Sequence, residues 1–99
     1  MNINKTLNGS DLTIAIDGRL DTTTSPQLEA EIKQSVEGIK SLVIDISKLE
    51  YISSAGLRVL LSAQKVMNKQ GEMTVRGANE AIMEIFDVTG FVDLLNIEQ

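Results

Sequence analysis

Residues 45–61 have the sequence DISKLEYISSAGLRVLL, and a change of pattern within this stretch decides the fold. An apolar run rich in β-branched side chains, residues 42–46, leads into this stretch and is typical of a buried central strand. After Ser53 and Ser54 the apolar spacing becomes helical. The sequence therefore predicts a strand over 42–46, a loop, and a helix over about 54–69 that begins at the two serines.

The two serines lie where a helix leaves backbone N–H groups free and where its dipole favours negative charge. A serine hydroxyl at such a place can cap the helix, bind an anion or accept a phosphoryl group. A serine cap contributes about 1 kcal/mol, so capping alone explains Ser54 without any further function. Ser53 is predicted to be a cap or loop residue and not an acceptor.

The composition excludes several classes of function. The 99 residues include no Cys and no His, which excludes disulfides, thiolate metal sites and a Ser-His-Asp triad. The net charge of −5 argues against nucleic acid and anionic lipid as partners. No apolar run approaches the roughly 20 residues of a membrane span, and no phosphate-binding glycine loop is present. We expect one cytoplasmic domain over 1–99 that is not an enzyme and carries no cofactor or metal.

The chain before residue 42 predicts a hairpin and a helix. Residues 2–7 and the alternating residues 12–17 are predicted strands, joined by an Asn-Gly turn. A polar loop follows over 18–24. Ser25 then suits an N-cap with Pro26 as the first helical residue.

The chain after the second helix predicts two more strands and a helix. Residues 73–75 alternate, Asn79 suits the cap of a last helix, and Thr89-Gly90 ends that helix. Residues 91–97 return as a short segment that suits an edge strand. The order indicates an α/β domain with a mixed, mostly parallel sheet of four to five strands, three to four helices and an N-terminal hairpin.

The predicted second helix has a core side and a polar side. Gly56 lies on the core side, where close packing explains it. The polar side consists of Arg58, Ser62, Lys65 and Lys69. Leu57 and Leu61 lie near the margin of the polar side, where they either cover the edge of the core or, beside Arg58, form a partner-binding face. We favour the partner-binding face.

Three segments carry a resemblance to a known family. They are Gly18-Arg19-Leu20-Asp21, then Asp45-x-Ser47 with Tyr51-Ile52-Ser53-Ser54-Ala55-Gly56-Leu57, and finally Thr89-Gly90-Phe91 with Leu94-Leu95-x-Ile97. They resemble the anti-sigma factor antagonists, the single-domain bacterial members of the STAS family. The resemblance covers nearly all of the chain and implies a STAS-like fold.

The resemblance also implies site residues. The phosphoacceptor of the family stands two positions before the Gly-Leu pair, which is Ser54 here, and Ser53 takes the place of the usual Asp. Asp21 would contact a nucleotide, a cation or a partner near Ser54; alternatively it bonds to the backbone of Thr22 or Thr23. Asp45 is expected to be structural and to accept loop N–H groups. The full predicted partner-binding set is Asp21, Thr22, Thr23, Ser53, Ser54, Gly56, Leu57, Arg58 and Leu61.

The function that the resemblance implies is a phosphorylation-switched interaction. The unphosphorylated form would bind an anti-sigma factor that is a GHKL-type serine kinase, which would release a sigma factor. A PP2C-type phosphatase would reverse the phosphorylation. Two alternatives remain: a STAS scaffold subunit in a stress-signalling or lipid-transport complex, and a domain that binds a small ligand or nucleotide between the Asp21 loop and the second helix.

Overall fold

The computed structural model describes residues 1–98 and has five strands and three α-helices. The strands are β1 (Asn2–Asn8), β2 (Asp11–Leu20), β3 (Ser41–Ile52), β4 (Glu72–Arg76) and β5 (Ile97–Glu98). The helices are α1 (Ser25–Ser35), α2 (Ser54–Asn68) and α3 (Glu80–Thr89), followed by a 3-10 turn (Phe91–Asp93). Within residues 1–98 no helix combines the length and apolarity that a membrane span requires.

The five strands form one sheet in the order β1-β2-β3-β4-β5. β1 is antiparallel to β2, and every later pair is parallel. The predicted mixed sheet and N-terminal hairpin are therefore confirmed, and Gly9 (φ 65°) provides the positive φ that the hairpin turn requires. Each crossover advances one strand in the same direction, so right-handed connections place all three helices on one face.

The core lies between this helical layer and one face of the sheet. Along β3, Leu42, Ile44 and Ile46 are fully buried, whereas Val43 and Asp45 on the opposite face are half-exposed. This period of two is that of a strand covered on one side. The core is aliphatic apart from Phe86, a fully buried residue of α3.

β2 and β3 are longer than predicted. The sequence pattern missed their later residues because two irregularities interrupt the pairing of the two strands. The register moves from Ala15↔Asp45 to Asp17↔Lys48, and later from Gly18↔Leu49 to Arg19↔Tyr51. Each step adds a residue on β3 and breaks the alternation of apolar side chains. The predicted loops at 47–52 and 18–20 are therefore wrong, since both segments are strand.

Two element ends also differ from prediction. α1 begins at Ser25 after Thr24, because the Ser25 hydroxyl donates to the carbonyl oxygen of Asp21 (2.5 Å) and does not cap the helix. The predicted strand over 91–97 is reduced to Ile97–Glu98, since Phe91–Asp93 forms the 3-10 turn. By contrast, the predicted Asn79 cap is confirmed by its bond from the Ile82 N–H (2.9 Å).

Candidate functional site

The carboxyl ends of β2 and β3 meet the beginning of α2 at one edge of the sheet. The Ser53 N–H donates to the carbonyl oxygen of Leu20 at 2.8 Å, which ties the start of α2 to the end of β2. Asp21 follows Leu20 directly, so the two predicted site segments, the Asp21 loop and the serines, flank this bond. Parallel strands bring such segments together because their carboxyl ends share an edge.

Ser53, and not Ser54, caps α2. The Ser53 hydroxyl oxygen accepts the Gly56 N–H at 3.2 Å, and its carbonyl oxygen accepts the Leu57 N–H at 2.9 Å. The alternative of Ser54 as the cap is therefore wrong, whereas the cap predicted for Ser53 is confirmed. Ser54 is the first helical residue and is exposed. Its side chain does not cap the helix. Its backbone N–H belongs to the first turn, where N–H groups have no acceptor within the helix.

The Asp21 loop is held by the Asp21 carboxylate. One oxygen, Oδ1, accepts the N–H groups of Thr23 and Thr24 at 3.0 Å each and the Thr24 hydroxyl at 3.2 Å. The single proton of the Thr24 hydroxyl is shared between this carboxylate oxygen and the carbonyl oxygen of Arg19, which is closer at 2.8 Å. The predicted bond to the loop backbone is confirmed at Thr23, while Thr22 is exposed and outside these contacts. The second oxygen, Oδ2, makes none of these hydrogen bonds.

Arg19 and Tyr51 are two site residues that our sequence analysis did not single out. The Arg19 guanidinium carbon lies 4.4 Å from the centroid of the Tyr51 ring, a cation–π contact between register partners. The Arg19 Nε is also 4.0 Å from Asp21 Oδ2. The available signal was the Arg inside the Gly-Arg-Leu-Asp segment, a cation two residues before the loop acid.

The pKa of Asp21 is lowered, first by the Thr24 N–H and then by the Thr24 hydroxyl, the Thr23 N–H and Arg19. A lowered folded-state pKa stabilises the domain above the unfolded pKa of about 4, and this contribution is lost as the pH falls through the folded value.

We expect Asp21→Asn to unfold at lower urea than the wild type at pH 7, since a neutral amide accepts these hydrogen bonds less strongly. The difference should shrink between pH 4 and pH 2. Urea unfolding across this range is the measurement, and Asp11→Asn, a change at the exposed first residue of β2, is the control. A difference that persists unchanged at pH 2 would show that the carboxylate charge does not hold the loop.

The structure separates the α2 residues that were predicted as a partner-binding face. Leu57 is only 5% exposed and belongs to the core, so its predicted place at the polar margin is wrong. The predicted place of Gly56 on the core side is confirmed: a Cβ there would lie 2.8–2.9 Å from Leu20 and Ile52 side-chain atoms. This burial argues against the partner contact predicted for Gly56. Arg58 is exposed and Leu61 is half-buried, so both remain available on the surface.

The sequence predicted Asp45 at the end of a strand, but Asp45 lies inside β3. Its Oδ1 accepts the Ser47 N–H at 3.0 Å, and its Oδ2 is 3.4 Å from Arg76 Nη2 on β4. These contacts, the Ser47 N–H first, lower the pKa of Asp45. The first irregularity of β3 begins at this residue. Asp45 thus has a structural role, although at a bulge and not in a loop.

Three surface cavities among residues 1–98 lie away from Ser54. One is on the open face of the sheet beside Asp45, one between α1 and α2, and one beside β1. Their walls contain neither Asp21 nor Ser53 nor Ser54. The predicted nucleotide pocket between the Asp21 loop and α2 therefore gains no support from them.

Comparisons with known proteins agree with the resemblance. The family model of the STAS domain matches residues 2–99. BtrV of Bordetella bronchiseptica, provisionally designated an anti-sigma factor antagonist, is 35% identical over 88 residues, 87% of this chain and 76% of that protein. The anti-sigma-B factor antagonist of Bacillus subtilis is 30% identical over 100 residues, 98% of this chain and 92% of that protein.

Solved structures share the fold. The crystal structure of an anti-sigma factor antagonist from Mycobacterium paratuberculosis superposes with a TM-score of 0.88 at 24% identity, over 97% of this chain and 83% of that chain. The Bacillus cell fate determinant SpoIIAA in its phosphorylated form gives a TM-score of 0.77 at 14% identity, over 99% and 92% of the two chains. The predicted STAS-like architecture is confirmed.

Proposed function

Because this chain belongs to the STAS domain family, we propose that it is an anti-sigma factor antagonist switched by phosphorylation of Ser54. The unphosphorylated chain binds an anti-sigma factor that is also a GHKL-type serine kinase, and this binding releases a sigma factor. The kinase phosphorylates Ser54, and a PP2C-type phosphatase restores the hydroxyl. In this scheme the chain is a cytoplasmic kinase substrate and not an enzyme.

The exposed position of Ser54 carries this proposal. A kinase must reach the hydroxyl oxygen, which attacks the γ-phosphorus of ATP while ADP leaves and a base of the kinase takes the proton. Ser54 is exposed, and Ser53 takes over the cap. Phosphorylation of Ser54 therefore leaves the capping bond to Gly56 intact.

The surroundings of Ser54 support a phosphate there. The dipole of α2 places partial positive charge at its first turn, and that turn contains no acidic side chain. The phosphorylated form is therefore expected to keep the fold, so that the modification acts on the surface that the partner contacts.

The predicted partner surface, as corrected by the structure, combines the Asp21 loop with the outer side of α2. Asp21, Thr22 and Thr23 contribute the loop, half-buried Ser53 contributes the helix cap, and Ser54, Arg58 and Leu61 contribute the exposed or half-buried side of the helix. The Asp21 Oδ2 atom, which the loop hydrogen bonds leave unused, is a suitable acceptor for a donor on the partner.

We expect a cognate GHKL kinase with ATP to add one phosphoryl group to the chain, at Ser54. Intact mass after incubation with the organism's own GHKL kinases gives the stoichiometry, and peptide mass mapping gives the residue. Ser54→Ala is the test variant and Ser62→Ala, another exposed serine on α2, is the control. Modification at Ser53 or only at Thr22–Thr24 would contradict the assignment. Recovery of transporter subunits and no kinase in a pull-down would favour the scaffold alternative.

A further inference from the structure

The outer side of α2 carries an unbalanced positive charge. Residues 53–71 include three cations and no Asp or Glu, in a chain whose net charge is −5. We define Arg58, Lys65 and Lys69 as the cationic strip, because at 3.6 residues per turn they fall within about 40° of one another around the helix. All three are exposed, and the salt bridges among residues 1–98 include none of them.

Helix electrostatics explains only part of this strip. Lys65 and Lys69 lie at the carboxyl end of α2, where cations complement the dipole. Arg58 is the fifth helical residue, closer to the amino end, where a cation gains nothing from the dipole and no acid of the helix neutralises it. A charge arrangement that does not serve the helix itself points to a role in binding.

Ser54 lies in line with the strip. It precedes Arg58 by four residues, so the two side chains are neighbours on the helix surface, about 5–6 Å apart at Cβ. A negative group placed four residues before a positive one is the favourable orientation for pairing. A phosphate on Ser54, with its three acceptor oxygens, would face the planar donors of the Arg58 guanidinium.

We propose that the cationic strip docks on an acidic surface of the anti-sigma factor, and that phosphate on Ser54 breaks this contact by pairing with Arg58. The inference rests on the proposed function and adds the charge of the partner surface and the residue through which the switch acts. In the unphosphorylated form, the Arg58 side chain contacts the partner. In the phosphorylated form, it pairs with the phosphate on Ser54 of the same helix and no longer contacts the partner. Half-buried Leu61 flanks the strip and supplies its apolar contact.

The pairing with Arg58 can be tested without a kinase. Phosphoserine is incorporated at residue 54 during translation, and phosphorus NMR follows the second ionisation of the phosphate between pH 4 and pH 8. We expect Arg58→Gln to raise the phosphate pKa by about half a pH unit, because a nearby cation is lost. Lys65→Gln, about 16 Å from residue 54 along the helix axis, is the matched control and should leave the phosphate pKa unchanged. Equal shifts for both variants, or none for Arg58→Gln, would overturn the pairing.

The docking surface is tested with the anti-sigma kinase that phosphorylates Ser54. We expect Lys65→Glu to lower its affinity for the unphosphorylated chain about tenfold and to weaken the salt dependence of binding. Lys40→Glu, the same charge change at an exposed residue before β3, should change the affinity less than twofold. Equal weakening of binding by both variants would show an effect of net charge alone and would overturn the proposal that the cationic strip is the docking surface. Failure of any such kinase to bind the wild type would overturn the proposed function and the docking surface, while the phosphorus NMR result stands separately.

Discussion

Phosphorylation of Ser54 should lower the affinity of the chain for its anti-sigma factor by about 10²–10³-fold, a cost of roughly 3–4 kcal/mol. The phosphate adds about −1.5 to −2 charges at neutral pH. At the partner surface this charge must be desolvated and repelled by acidic groups of the partner. At the first turn of α2 it meets free N–H groups and a favourable dipole, so the fold should remain intact.

Three forms of the chain test this expectation: Ser54→Ala, Ser54→Asp and the phosphoprotein. Isothermal titration gives the affinity for the kinase, and thermal melting and amide chemical shifts report on the fold. Shifts confined to α2 and the Asp21 loop, with an unchanged melting temperature, support local expulsion. Shifts across the whole sheet, or a steep fall in melting temperature, would mean a conformational switch. Asp carries less charge than phosphate. If Ser54→Asp and the phosphoprotein give different affinities, the result for the phosphoprotein therefore tests the prediction.

Leu57→Glu should unfold the domain, whereas Leu61→Glu should leave it folded. Leu57 is 5% exposed within the core. A carboxylate buried there without a partner costs several kcal/mol, comparable with the total stability of about 5–15 kcal/mol that such a domain has. Leu61 is half-buried on the outer side of α2, where a glutamate can reach water and lies between Arg58 and Lys65.

Circular dichroism and urea unfolding measure the folding of both variants, and a binding titration with the kinase measures the affinity of Leu61→Glu. We expect Leu61→Glu to weaken binding by about tenfold or more, since an apolar contact is lost and an acid is placed against an acidic partner surface. Loss of folding in Leu61→Glu would assign that side chain to the core. Wild-type affinity in a folded Leu61→Glu would remove it from the partner surface.

Local chemistry along the chain was enough to predict the architecture. The Asn-Gly turn predicted the hairpin, the apolar run at 42–46 predicted the central strand, and Asn79 and Gly90 mark the ends of α3 as expected. These signals depend on residues close together in sequence, which is why they can be detected there. The place of Ser54 at the start of α2 was predicted for the same reason.

The bulges of β3 could not be predicted in this way. Leu49 and Ile52 are buried at a spacing of three, which matches neither the strand period of two nor a helix of useful length. The spacing makes sense only against β2, where the register shifts at Asp17 and Arg19 place an extra residue on β3 each time. The contact between Arg19 and Tyr51 is a product of the second shift, so it too was invisible before the strands were paired.

Local pattern thus specifies the order of the elements, the cap chemistry at the ends of α3 and the position of the exposed serine. The choice between Ser53 and Ser54 as the cap, and the burial of Leu57 against the partial exposure of Leu61, required the packed fold. The reason is physical: a cap depends on which residue first adopts helical backbone angles, and here the bond from Ser53 to Leu20 on β2 sets that point. A leucine at the margin of a helix is covered or exposed according to what packs beside it, and residues distant in sequence make up that neighbourhood.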